Sequence, residues 1–318
     1  MKKLGFAALA ASIFAVAAAP VFAGMPDAGG EGQAVVTLLP KNGSEAPVRI
    51  SAQDLRLRVN GKDSTVTGWE HLHHENGPLE LVILMDSSAR ASIGTQLGEI
   101  KDFVNEMPSH AKMAIAYMDS GRAVFETPLS SDPAVVLKAL HIPGGIPGQS
   151  ASPYFCLSDL AKNWPSHDTS ARREVLMITD GVDYYNLRYD PQDPYVQAAI
   201  EDSTKAGLVV YSIYWVNQGH VDRTWYENNA GQNLLEEVTQ ATGGSSYWQG
   251  FGNPVSFEPY FKDLRQRFEH QYRLSFTSPL KGKPQVESMN LKVGGPAAKV
   301  YAPQQVFVRP AGTAVAGD

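Results

Sequence analysis

Seven residues from Leu79 to Met85 are mostly apolar and β-favouring, and they run straight into Asp86, Ser87 and Ser88. An apolar run of this length, bounded by polar residues, suits a strand buried on both faces, as in a parallel sheet. Carboxylate and hydroxyl oxygens then emerge at the strand's carboxyl end, where open α/β sheets place their ligands. A second run, EVLMIT at 174–179, leads in the same way to Asp180 and Gly181. Two buried strands that each end in an aspartate can bring both carboxylates to one rim of one sheet.

Between and after these strands the pattern alternates. Ile93, Leu97, Ile100, Phe103, Val104 and Met107 are spaced by three and four, which predicts an amphipathic helix stopped by Pro108. AKMAIAYM (111–118) reads as another buried strand and RAVFETPL (122–129) as an antiparallel edge. Helices are expected near 132–140, 153–164, 194–206 and 228–242, the last ended by Gly243-Gly244, with a final amphipathic helix in FEPYFKDLRQRFEHQ. GLVVYSIYWV (207–216) is a third strongly apolar strand and SSYW (245–248) a short one. Strands alternating with helices predict an α/β fold, a doubly wound and mostly parallel sheet with helices on both faces.

The flanks differ. AVVTLL (34–39) is a short β run, and LRLRVNG (55–61) on the same side and YRLSFTS, VESMNLKV and QQVFV on the other alternate with period two, the latter three with no helix between them. The resulting division is 24–33 as a Gly-rich flexible lead-in, 34–78 as a β-rich segment, 79–270 as the α/β domain and 271–318 as a β-rich extension that pairs with the first.

Strand-DxS followed by strand-TDG resembles the von Willebrand factor type A (VWFA) domain, and the β flanks resemble a secreted bacterial subgroup of that family. The family's metal-ion-dependent adhesion site has the pattern DxSxS…T…D. Asp86 and Ser88 match its first two positions and Asp180 its last, whereas Arg90 stands where the second serine belongs. The resemblance implies a hard divalent cation such as Mg2+, held by oxygen ligands with open positions that a partner's carboxylate completes. The threonine position falls in the loop before the 153 helix, which offers Ser150 and Ser152. Ser152 is preferred, and it also suits the helix N-cap.

Arg90 opposes that implication. A guanidinium cannot ligate a cation, and one about 5 Å from a dication at an effective dielectric near 20 is repelled by about 6–7 kcal/mol. Either it swings out to solvent and a metal binds, or it pairs with Asp86 and Asp180 and the site is degenerate. Around the site Asp183, Tyr184, Tyr185, Tyr189 and Tyr195 form an acidic, aromatic rim, suited to protein recognition if exposed and to packing if not.

Residues 1–23 have two lysines, an apolar stretch and a Val-Phe-Ala end, the pattern of a secretory signal peptide rather than a span, so the mature chain is expected to be exported, periplasmic or secreted. The single Cys156 offers no internal disulfide. Without Lys2 and Lys3 there are 25 basic against 33 acidic residues, which weighs against nucleic acid or anionic membrane as partner. The favoured function is a non-enzymatic, adhesion-type module with a protein partner. Its rivals are an envelope assembly protein with a vestigial metal site and, more remotely, a hydrolase using Ser150 with His167 or His220. His71, His73 and His74 form a further metal candidate that lacks a visible third ligand cluster.

Overall fold

The computed structural model describes residues 29–41, 49–186, 190, 192–217, 225–250, 252–280, 282–294 and 298–312, without the side chains of 225–228. The predicted signal peptide, Tyr189 and His220 lie outside the described residues.

The chain begins with β1 (Gly29–Pro40), β2 (Leu55–Val59) and β3 (Lys62–His71). It continues through β4 (Leu79–Asp86), α1 (Leu97–Glu106), β5 (Lys112–Asp119), β6 (Arg122–Phe125), α2 (Pro133–Val136), α3 (Pro153–Lys162) and β7 (Arg172–Thr179). Then come α4 (Pro194–Ala206), β8 (Leu208–Tyr214), α5 (Trp225–Thr242), β9 (Ser246–Tyr247) and α6 (Glu258–Glu269). The chain returns to β structure in β10 (Gln271–Pro279), β11 (Gln285–Val293), β12 (Ala298–Tyr301) and β13 (Gln305–Pro310).

The central strands form an α/β sheet in the order β6-β5-β4-β7-β8-β9. It is a mixed sheet, parallel at every pairing except that of the edge strand β6 with β5. All eight residues of β4 are buried, as an apolar run in a central parallel strand requires. Its side chains divide by parity. Leu81, Ile83 and Met85 pack with Phe103 of α1 and Phe261 of α6, while Val82 and Leu84 pack with Leu157 of α3, Ile200 of α4 and Leu235 of α5. Each such aliphatic side chain contributes about 2 kcal/mol through burial. The helix expected over 93–107 is divided, with a 3-10 stretch at Ala91–Gln96 before α1.

The flanking strands do more than extend the sheet. Antiparallel pairing runs β10-β3-β2-β11-β13-β1 and then from β1 back to β10, closing a six-stranded barrel, with β12 added on β1. Closure removes the exposed edges that two separate β segments would leave. Val36, Leu38, Leu57, Leu274, Phe276 and Val308 fill its interior.

The expected flexible lead-in is corrected in part. Gly29–Gln33 are already strand, paired with β10 and β13. Their glycines are what permits this, since a Cβ on Gly30 would meet Val308 Cγ1 at 2.6 Å and one on Gly32 would meet Phe276 Cζ at 2.5 Å.

The barrel meets the α/β unit at the amino ends of β7 and β8. There Arg172 Nη1 donates to Phe268 O (2.5 Å) and Gln271 Oε1 (2.6 Å), and Gln271 Nε2 donates to Glu174 Oε1 (2.8 Å). Glu174 and Gln271 are fully buried.

Candidate functional site

Strand order fixes the place of the two aspartates. The sheet grows outward from β4 in one direction through β5 and in the other through β7, so it reverses between β4 and β7. Asp86 ends β4, and Asp180 follows the last residue of β7. Both therefore stand at the carboxyl edge of the reversal point.

The two carboxylates share one donor, the side-chain amide of Asn217. Its Nδ2 donates to Asp86 Oδ2 at 2.8 Å and to Asp180 Oδ1 at 3.1 Å. The first residues beyond β8 bring Asn217 there, and a β-bridge to Ala89 holds its backbone against the turn after β4. Asp86 Oδ2 also accepts from Thr179 Oγ1 (2.6 Å), and its Oδ1 accepts from the main-chain N–H of Ser88 (2.9 Å). Asp180 Oδ1 accepts from the N–H of Val182 (3.0 Å). Burial, and secondly the charge of Asp180, push the Asp86 carboxyl above its usual range, while the bonds from Thr179, Asn217 and Ser88 pull it back.

Two glycines let helix α5 press onto this turn. A Cβ on Gly231 would meet the Asp180 carbonyl oxygen at 2.2 Å, and Gly181, at φ 71°, lies against Gly231 O and Leu235. Gly181 adopts the left-handed region at little cost, as other residues do not.

Ser88 lies beside Ser150. Their hydroxyls are 3.3 Å apart, and the Ser150 N–H donates to Ser88 Oγ at 3.2 Å. Ser152, the expected ligand, instead accepts from the Tyr154 N–H as the N-cap of α3 and donates to Asp183 Oδ2 at 3.1 Å. Of the two serines of this loop, Ser150 is the one that meets Ser88. No histidine lies within hydrogen-bond reach of Ser150 among the described residues, and its hydroxyl faces that of Ser88.

Arg90 follows neither expected course. Its main-chain N–H donates to Val216 O (3.3 Å), its side chain is half-buried, and no carboxylate lies within 4 Å of it among the described residues. Its Nε is buried without a hydrogen-bond partner. Asn217, and not Arg90, stands between the aspartates.

The site is closed over. Asp86, Ser88, Ser150, Thr179, Asp180 and Asn217 are all at most 1% exposed. The Gly/Pro loop before α3 contributes to the cover, with the Gly145 N–H donating to Ser87 O at 3.0 Å. Asp183, expected on an open rim, is buried and accepts from the Tyr185 N–H at 2.8 Å. Burial raises its carboxyl above the usual range, against the opposing bonds from Tyr185 and Ser152. Tyr184 is half-buried with its ring over Gly148, whereas Tyr185 is 67% exposed.

A divalent cation would need oxygen donors where this site presents N–H hydrogens. Asn217 Nδ2 occupies the approach to both carboxylates, and Asn217 Oδ1 is buried without a partner. The opposite amide orientation would set Oδ1 against two carboxylate oxygens, an arrangement tolerable only with a cation or proton between them. As arranged, the donor set fits an amide bridge and does not fit a metal. Among the described residues no group of three or more His, Cys, Asp or Glu side chains converges as a metal site. At the other candidate, His71 Nε2 is 2.9 Å from Glu269 O, and its ring lies against Tyr272.

Thr179 and Asn217 were not singled out as site residues by the sequence patterns. Asn217 is the first polar residue after the run ending at Val216, so the rule that located Asp86 also points to it.

Fold and site together define an α/β domain with a buried, amide-bridged carboxylate pair at its carboxyl rim, joined to a closed β barrel. The sequence matches no family model and no curated protein. Solved structures similar to it include an aerotolerance-related membrane protein from Bacteroides fragilis NCTC 9343, at 17% identity and TM-score 0.43 over 60% of this chain and 98% of that one. The manganese-loaded TRAP protein of Plasmodium vivax is 12% identical at TM-score 0.41 over 76% and 98%. The SpRpn10 VWA domain is 9% identical at TM-score 0.37 over 55% and 92%. At such scores the fold rests on the strand order and pairing described above.

Proposed function

We propose that this chain is an exported, non-enzymatic protein-binding module, VWFA-like in its α/β part, which engages its partner through the loops at the carboxyl rim. The strand order reverses between β4 and β7, and open α/β sheets hold their ligands outside the carboxyl ends at such a point. One observation carries the reading. Of the eight most exposed large apolar side chains among the described residues, six stand on that end of the sheet: Ile142, Ile146, Tyr185, Tyr195, Trp248 and Val255. Ile142 and Ile146 belong to the loop bonded to Ser87, Tyr185 and Tyr195 follow β7, and Trp248 and Val255 follow β9. Exposed apolar and aromatic groups gathered on one face mark interaction surfaces.

The buried residues below have a supporting role in this reading. Asp86, Asp180 and Asn217 tie the turns after β4, β7 and β8 together, which fixes the base from which the rim loops rise. Recognition then needs no metal in the contact. The signal-peptide pattern of residues 1–23 motivates the export part of this reading.

Photo-crosslinking in the producing cell tests this. A benzoylphenylalanine placed at Tyr185 or Ile146 should give a discrete adduct with one partner, while the same group at Val300 on the barrel should not. Adducts from Val300 alone would overturn the rim and favour an assembly role for the barrel.

A further inference from the structure

A cleft of about 530 Å3 opens between the barrel strands β1 and β10 and the amino end of β7, on the opposite side of the sheet from the rim. That volume lies within the ordinary range for small-molecule sites. Its lining is strongly biased in charge. Arg172, Arg173 and Lys205 line it from the α/β unit and Arg273 and Arg309 from the barrel, against the single carboxylate of Glu31. Six serine and threonine residues lie among them. This concentration of cations sits in a chain whose formal net charge is −6, so it does not follow from composition.

Among the described residues the two arginines of β7 make no direct ion pair, although Glu174 stands near Arg172 and Glu80 and Asp168 stand near Arg173. Arg172 is 8% exposed, its Nε is buried with no hydrogen-bond partner, and its Nη1 is bonded only to neutral oxygens of Phe268 and Gln271. Arg173 donates to the main-chain carbonyls of Ser166 (3.2 Å) and Asp168 (3.5 Å). Neither has a carboxylate within 4 Å among the described residues. Burial pulls both guanidiniums below their ordinary range, against the opposing charge of Glu174 on Arg172 and of Glu80 and Asp168 on Arg173. Of the remaining three, Arg273 pairs with Glu70 at 3.6 Å and donates to Asn76 O (2.7 Å) and Ser170 O (3.1 Å), Arg309 pairs with Glu31 at 3.4 Å, and Lys205 pairs with the half-exposed Glu201 at 2.6 Å. Partly exposed pairs of this kind are worth little and exchange readily for a better acceptor.

We infer that this cleft binds a small multivalent oxyanion, of the phosphate or polycarboxylate kind, between the barrel and the α/β unit. Guanidinium groups match the paired oxygens of such anions in a bidentate fashion, and the surrounding hydroxyls supply neutral donors. Because its cations come from both walls, the bound anion bridges the two parts of the chain.

Calorimetric titration of the intact chain with inorganic phosphate and with citrate tests the site. Saturable binding of at least one anion is expected, weakening as sodium chloride is added. Arg173→Gln on one wall and Arg309→Gln on the other should each weaken it about tenfold or more, the scale of one lost charge-assisted hydrogen bond. Arg309 is partly exposed on the barrel, so that variant serves if Arg173→Gln fails to fold. Lys101→Gln, an exposed cation on α1 outside the cleft, should leave the affinity unchanged. No saturation by either anion up to about 10 mM would overturn the inference. So would affinity unchanged in both arginine variants.

Discussion

The side-chain amide of Asn217 donates to the carboxylate of Asp86 at 2.8 Å across 131 residues of chain. It donates to Asp180 as well, so one neutral NH2 group does for two buried carboxylates what a cation would do in an adhesion site. Such a bridge is directional and depends on no ion concentration.

Removing the bridge should be costly. Asn217→Ala leaves two buried acceptors facing each other without their shared donor, and about 1–3 kcal/mol of stability should be lost. Urea denaturation measures this, with an unchanged slope showing that the fold is retained. Asn217→Asp adds a third acid and removes the donor hydrogens. Its melting temperature should rise with millimolar Mg2+ or Mn2+, an effect absent from the parent chain and from Arg90→Ser alone.

The turn beneath Asp180 should be sensitive to a single methyl group. Gly231→Ala gains helix propensity of up to about 1 kcal/mol. Its Cβ would nonetheless fall 2.2 Å from the Asp180 carbonyl oxygen, so α5 or the turn must shift. A net loss of about 1–3 kcal/mol is expected, the usual scale of overpacking. Near-unchanged stability would show that α5 does not hold the turn.

How far the sequence led can be judged at these same residues. The apolar runs ending at Asp86 and Asp180 placed both carboxylates at one sheet edge, because buried parallel strands carry an unmistakable composition. The donor between them was missed, since Asn217 reaches the site only after β8 is set beside β7, and a lone Asn after a strand reads as an ordinary turn residue. Ser150 and Ser152 were both in view. Which of them meets Ser88 depends on a loop with positive φ at Gly148 and Ala151, and pattern reading does not resolve that. Barrel closure was hidden for a similar reason. Pairing of β1 with β10 joins segments some 240 residues apart, and Gly29–Gln33 read as flexible because the side chains pressing on those glycines come from the far end of the chain.

Stability should fall as the pH rises from 4.5 to about 8, through Glu174. Burial raises its carboxyl from the ordinary 4.5 to about 8, against the opposing influence of Arg172, Gln271 and Tyr211. Between those two values the folded chain keeps a proton that the unfolded chain releases, so unfolding becomes easier with rising pH across that window. Asp86 is shifted in the same direction. Glu174→Gln keeps an acceptor for Gln271 and loses the ionisation, so it should melt higher than the parent above pH 8. Melting curves for both chains from about pH 5 to about pH 9 would show the difference in slope, and parallel curves would contradict it.

Rim substitutions should separate binding from folding. Tyr185 is largely exposed, so Tyr185→Ser should change stability by no more than about 0.5 kcal/mol. Combined with Ile146→Ser it should remove the adduct formed by a benzoylphenylalanine at Tyr195 while the melting temperature holds. Loss of the partner together with a large fall in melting temperature would mean that the rim side chains support the fold instead.

The central claim is that an amide takes the place of a cation between Asp86 and Asp180. The direct measurement is calorimetric titration of the EDTA-stripped chain with Mg2+ and Mn2+, beside the same titration of Asp86→Ala. No saturable binding is expected in the parent at millimolar metal, and hence no difference between the two. Saturable binding in the parent that disappears in Asp86→Ala would contradict it, showing that Asn217 turns aside and a metal enters the rim.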